Sequence, residues 1–262
     1  MSGWRVVVAV VLVSVQACGG ATVDAELPEL DLFVQPVPDA PDPADRAGAA
    51  AAFVECTYPL GNGGWSSDFG PPPGGSTPED GLEAFLDTGL FGLPRDGYLP
   101  SGRDDQRRLF TYSVADAPKV AVIIADEPDG WRVETFATCD PAEYDPSRDG
   151  PVGVWTDAEG HRVPTSTIMS LQGAEHCGWE SVTYLLFEDR QYIGDPEGAM
   201  DVPFAAPFSA DTQLPSDALD TGYERDGAHL FMSSDTAVAY LVFDDHVEAW
   251  PTPAVPDPVW CA

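Results

Sequence analysis

Leu109-Phe110-Thr111-Tyr112-Ser113-Val114, Val120-Ala121-Val122-Ile123-Ile124-Ala125 and Trp131-Arg132-Val133-Glu134-Thr135-Phe136-Ala137-Thr138 are three runs rich in β-branched and aromatic residues, too short for helices of any use to a core. Glu127-Pro128-Asp129-Gly130 supplies turn chemistry between the last two. The sequence therefore predicts an antiparallel meander, and with it a fold of the α+β class that is predominantly antiparallel β.

Moving outward toward the N-terminus, Thr77 is placed to cap a helix, with Pro78 at its first position and Glu79 and Asp80 in its first turn. Leu82, Phe85, Leu86 and Leu90 follow at helical spacing until Gly89 and Gly92-Leu93-Pro94 end the segment. Before the helix, Gly61 to Gly75 reads as a Gly/Pro loop carrying Trp65 and Phe69, and Phe53 to Tyr58 as a first strand. Toward the C-terminus, the polar stretch Asp140 to Gly153 marks a boundary. Beyond it lie the apolar runs Val163 to Leu171 and Ser181 to Phe187, then a Gly/Pro/Phe-rich loop over Tyr192 to Asp211. A second three-strand meander is expected at Leu230 to Ser233, Ala237 to Phe243 and Val247 to Trp250, turning at Asp244-Asp245.

The two meanders belong to halves that match by offset. Cys56 and Cys177 lie 121 residues apart, as do Leu93-Pro94-x-Asp96 and Leu214-Pro215-x-Asp217, and Leu109-Phe110 and Leu230-Phe231. Such periodicity predicts two related units, 53–150 with the clear helix and a β-rich 151–262, with any shared ligand site between them.

The extreme N-terminus has a different character. Arg5, the apolar run Val6 to Val15 and the ending Val15-Gln16-Ala17-Cys18 read as a secretory leader too short to span a bilayer. The ending resembles the lipobox of bacterial lipoproteins, and the chain's general character resembles secreted lipoproteins of Gram-positive bacteria. That resemblance implies removal of residues 1–17, lipidation of Cys18 and a membrane partner reached through the lipid; Val15-x-Ala17 also suits plain secretion. Residues 18–52, rich in Pro, Ala and acids, are then expected to be a tether, with Leu30, Leu32, Phe33 and Val34 apolar enough to dock as an added edge strand.

Removing Cys18 from the count leaves Cys56, Cys139, Cys177 and Cys261, an even set suited to an oxidising compartment. Four cysteines permit three pairings. The internal repeat selects Cys56 with Cys139 and Cys177 with Cys261, one bond per unit.

Forty-four acidic residues face twelve basic ones, Lys119 being the single lysine, for a formal charge of −32. That charge repels phosphate backbones, which excludes nucleic-acid binding by electrostatics. No phosphate loop and no Gly-x-Ser-x-Gly nucleophile turn is present. Leu86-Asp87-Thr88-Gly89 and Leu219-Asp220-Thr221-Gly222 resemble the paired active-site loops of aspartic proteases, which implies two carboxylates sharing a proton. Asp87, however, falls at the end of the capped helix rather than after a strand, and Asp220 reads as part of a turn. His161, His176, His229 and His246 lack metal-ligand spacing, and the acidic loops Asp140 to Asp149 and Asp195-Pro196-Glu197 lack the order of a calcium loop, so neither metal nor cofactor is expected. Trp131, Phe136, Trp179, Tyr184, Tyr240 and Trp250 fit core and cross-strand positions, or else a sugar- or peptide-binding face. The sequence thus predicts an extracytoplasmic binding or structural module of a bacterial cell envelope without catalysis, with an aspartic-type hydrolase using Asp87 and Asp220 as the alternative.

Overall fold

The continuous apolar run at Val120 to Ile124 has a structural cause: these five residues are fully buried on both faces of the strand they form. A computed structural model describes residues 27–33, 42–65, 70–89, 91–144, 150–255 and 258–260. Helix α1 spans Pro43–Ala47 and α2 Pro78–Leu86. The first sheet has six strands, β1 (Asn62–Gly63), β2 (Gly74–Gly75), β3 (Leu99–Arg103), β4 (Arg107–Val114), β5 (Ala117–Glu127) and β6 (Gly130–Thr138). Its order is β1-β6-β5-β4-β3, with β2 also on β6. The expected meander is thus present and gains β3 as a fourth strand.

One face of β5 is covered by α2. Val120, Val122 and Ile124 pack with Leu82, Phe85 and Leu86, while Thr77 and Asp80 form a reciprocal capping box at the helix start. On the opposite face, the described parts of the stretch expected to be a tether, 27–33 and 42–52, pack on the sheet instead of standing off as linker. Ala121, Ile123 and Ala137 pack against Leu32, Ala47, Ala49 and Ala50, the last two on a 3-10 helix over Gly48–Phe53. Alanines are small enough to let a helix backbone lie close on the sheet, so a composition that reads as linker here closes the core. Phe53 to Tyr58 is not a strand: the 3-10 helix ends at Phe53, and the segment forms no ladder, Glu55 N–H donating to the Pro118 carbonyl at 2.8 Å. The edge docking expected of the Leu30 region is observed, Leu30 N–H donating to Arg103 O at 2.9 Å and Arg103 N–H to Pro28 O at 3.0 Å. Gly102 lies beneath Leu30, where any side chain would collide with it. Residues 1–26, including Cys18, and Val34 lie outside the described residues.

The second half carries two sheets rather than one. The first of them contains β7 (Val152–Val154), β8 (Ile168–Gln172), β9 (Thr183–Phe187) and β10 (Arg190–Gly194) in the order β10-β9-β8-β7. The other contains β11 (Leu219–Arg225), β12 (Ala228–Met232), β13 (Val238–Val242) and β14 (Val247–Pro251) in chain order. Strand β10 occupies the start of the expected 192–211 loop, and Asp220-Thr221-Gly222, read as a turn, lies in β11 where its register with β12 shifts. Ile168, Leu185 and Phe187 from one sheet pack on Leu230, Met232 and Leu241 from the other. The meanders β3–β6 and β11–β14 share their order, and Leu109↔Ile123 and Leu230↔Leu241 are equivalent rungs.

The halves join through polar contacts. The buried Asp140 carboxylate accepts from Thr165 N–H at 3.0 Å and Thr165 Oγ1 at 2.7 Å, and Arg162 donates to the Tyr144 carbonyl at 2.5 Å. Cys56 and Cys139 are disulfide-bonded, as the repeat predicts. Cys177 is disulfide-bonded as well; Cys261, the partner predicted for it, lies outside the described residues.

Candidate functional site

A cleft of 540 Å³ opens at the edge of the interface between the second and third sheets. All of its lining residues belong to the second half. Its first wall is the β9–β10 hairpin, where Phe187 pairs with Arg190 and the two-residue turn Glu188-Asp189 has φ values of 50° and 57°. Both turn residues are left-handed, as a tight hairpin between twisted strands requires, and both line the cleft. The facing wall is β11. There Asp220 Oδ1 accepts from Gly222 N–H at 2.8 Å, and Thr221 Oγ1 donates to Leu230 O at 2.7 Å, fixing the bulged segment.

Ser166, Thr167 and Thr236 add hydroxyls, and Phe187 and Tyr223, whose rings meet edge-on at 5.7 Å, add aromatic surface. Thr236 has φ 57°, a strained value for a β-branched residue. It is held there by its N–H to Ser233 O at 2.8 Å and by the Tyr192 hydroxyl donating to its carbonyl at 3.1 Å. Burial pushes the Tyr192 phenol up to about 12, so that donor stays protonated at any physiological pH. Among the described residues, no Lys or Arg lines the cleft. Carboxylates and hydroxyls accept and donate hydrogen bonds to neutral or cationic groups, and repel anions.

A second depression, a groove of 360 Å³, runs along α2 and contains Asp87. Asp87 follows the last turn of the helix, is largely exposed and lies 4.0 Å from Arg95. Asp220 lines the other cleft, so the structure does not bring the two aspartates together, and a shared proton needs carboxylates in hydrogen-bond contact. The geometry gives the hydrolase alternative no dyad.

The histidines stand apart from both depressions. His161 and Asp157 are 3.3 Å apart in an exposed loop that also holds Glu159, and Asp157 Oδ1 already accepts the His161 and Glu159 amides. His229 lies 3.7 Å from Glu224, and His246 stacks on Phe243 between Asp245 and Glu248. Hydrogen bonding to Asp245 raises the His246 pKa above its ordinary value. His176 is exposed on a 3-10 turn. Of the acidic loops, Asp195 caps its own turn through the Ala199 and Met200 amides, and residues 145–149 lie outside the described residues. Among the six aromatic strand positions, Phe136, Tyr184 and Trp250 are buried and none lines the cleft. Phe187 and Tyr223 were not singled out by sequence. The usable signal was the polar pair Glu188-Asp189 between two apolar runs, which reads as a loop because it lacks glycine.

Lys119 is almost buried beside the disulfide. It donates to Glu143 Oε2 at 2.8 Å and to the Glu55 carbonyl at 2.5 Å, and Glu143 also accepts the Thr57 and Tyr58 amides at 2.8 and 2.9 Å. No helix among the described residues is long and apolar enough to cross a membrane. Neither a protein-family model, nor a curated protein, nor a solved structure matches the chain.

Proposed function

We propose that the protein is an extracytoplasmic, lipid-anchored binding module of a bacterial cell envelope whose ligand site is the cleft between the second and third sheets, and that its ligand is a neutral or cationic saccharide. One observation carries the ligand class. The lining combines Glu188, Asp189 and Asp220 with Ser166, Thr167 and Thr236 and with Phe187 and Tyr223, and holds no basic side chain among the described residues. Carboxylates and hydroxyls suit sugar hydroxyls or an amino group, and aromatic rings suit the apolar face of a pyranose. The cleft volume falls within the range of small-ligand sites.

Anchoring rests on the lipobox-like Val15-Gln16-Ala17-Cys18 and on an even set of four further cysteines. Cys18→Ala should release the protein from membranes or leave it unprocessed; wild-type protein without acyl mass on its N-terminal peptide would contradict the anchor. For the cleft, titration calorimetry against neutral, amino and acidic sugars should show binding of the first two classes only. Asp220→Asn with Asp189→Asn should weaken it by about tenfold or more, since truncating site hydrogen bonds costs on the order of 1–3 kcal/mol. Binding of acidic sugars alone, or indifference to these substitutions, would sink the reading.

A further inference from the structure

We propose that the groove along α2 is a second binding site, separate from the cleft, and that it receives a basic peptide segment with one apolar face from a partner protein. The helix presents Glu79, Glu83 and Asp87 to the groove at i, i+4 and i+8, an acidic ridge about 12 Å long at 1.5 Å per residue. Beside the ridge run Leu82 and Leu86, and Phe110 of β4 lines the same groove. An acidic rail over an apolar floor is the complement of a segment bearing Lys or Arg along one edge and Leu-like side chains along the next.

Past Glu79, which suits the first turn, the helix gains nothing from this ridge by itself. Like charges at i, i+4 repel, and an aspartate just past the last turn opposes the helix dipole, with no basic residue in that turn to offset it. Asp80, by contrast, is consumed by the cap, through Ser76, Thr77 and its own amide. Among the described residues Arg95 alone approaches the ridge, at 4.0 Å from Asp87, and both side chains are more than half exposed. Charge selects the occupant. A second copy of this chain, itself at −32, would be repelled, as would an acidic lipid surface, whereas a basic segment is drawn in. The groove volume of 360 Å³ matches a few side chains, the anchor residues of a short segment rather than a whole domain face.

The test uses the full-length processed protein and a fluorescent Lys/Leu peptide with amphipathic spacing, read by anisotropy at physiological salt, with a Glu/Leu peptide as control. Wild-type protein should bind the Lys/Leu peptide only. Glu79→Gln/Glu83→Gln/Asp87→Asn should weaken binding about tenfold, three exposed ion pairs being lost together. The charge-matched variant Glu188→Gln/Asp189→Asn/Asp220→Asn should bind as wild type, and the groove variant should melt no lower than wild type because repulsion is relieved. Equal weakening by both variants would show attraction by net charge alone and overturn the proposal, as would an unaffected groove variant or no binding by wild type. The saccharide reading is unaffected by any of these outcomes, because it is measured at the other cleft with a different ligand.

Discussion

Lys119 shows how much a single residue can decide. As the only lysine it was legible as an oddity, but not its role: its ammonium ties β5 to the Glu55 carbonyl and to Glu143, beside the Cys56–Cys139 disulfide. Burial pushes the Glu143 carboxyl up, but hydrogen bonds from Lys119, Tyr58 and Thr57 outweigh it and hold its pKa below the ordinary value. A carboxyl lowered on folding stabilises fully above its unfolded-chain pKa, and that contribution is lost as the pH falls through the folded-state value. Glu143→Gln leaves the lysine charge buried without a counter-charge, and should cost about 3–5 kcal/mol at neutral pH. Lys119→Met should cost less, because Glu143 keeps its backbone donors. Urea titrations should also show Glu143→Gln losing less stability than wild type between about pH 5 and pH 3; an acid limb unchanged from wild type would contradict the assignment. The left-handed pairs Ala115-Asp116 and Glu188-Asp189 were illegible for a related reason. Hairpin turns announce themselves through glycine or asparagine, and here tight strand pairing imposes the conformation on residues that do not prefer it.

Elements were legible where local chemistry and burial agree. Helix α2 has its cap, its N1 proline and its apolar stripe and begins where these put it, but it ends at Leu86, short of Leu90, the last stripe residue, which lies outside the described residues. Strands β4, β5 and β6 are long and rich in strand formers, so pattern and packing coincide. Strands β3 and β11 were not found: Leu99-Pro100-Ser101-Gly102-Arg103 and Leu219-Asp220-Thr221-Gly222 are edge segments with bulges, whose strand state comes from a neighbour. The Ala-rich 47–52 stretch failed in the other direction, since its burial depends on the open face of β5, which no local pattern records. Helix α2 gives this scale its prediction. Thr77→Ala removes the side chain that accepts the Asp80 amide at 3.1 Å and should cost about 1 kcal/mol. Urea unfolding measures it, and a neutral substitution would mean that the Asp80 arm of the box suffices alone.

For the whole molecule, three sheets share a division of labour. The first sheet is closed on both faces, by α2 and by the N-terminal segment, and is stapled by a disulfide spanning 83 residues, worth roughly 4.5 kcal/mol in the chain-entropy model. The second and third sheets bury their shared faces and leave an acidic cleft at one edge. That cleft was not legible in sequence, because its lining comes from a hairpin turn, a bulged edge strand and two loops brought together only by sheet packing. Three methionines supply a direct report on it: Met232 lines the cleft, while Met169 and Met200 do not. Methyl NMR of the processed protein, titrated with a neutral or amino sugar that binds, should shift the Met232 signal and leave those of Met169 and Met200 in place. Saturable binding that moves Met169 or Met200 and leaves Met232 unchanged would put the ligand elsewhere and contradict the cleft as the site.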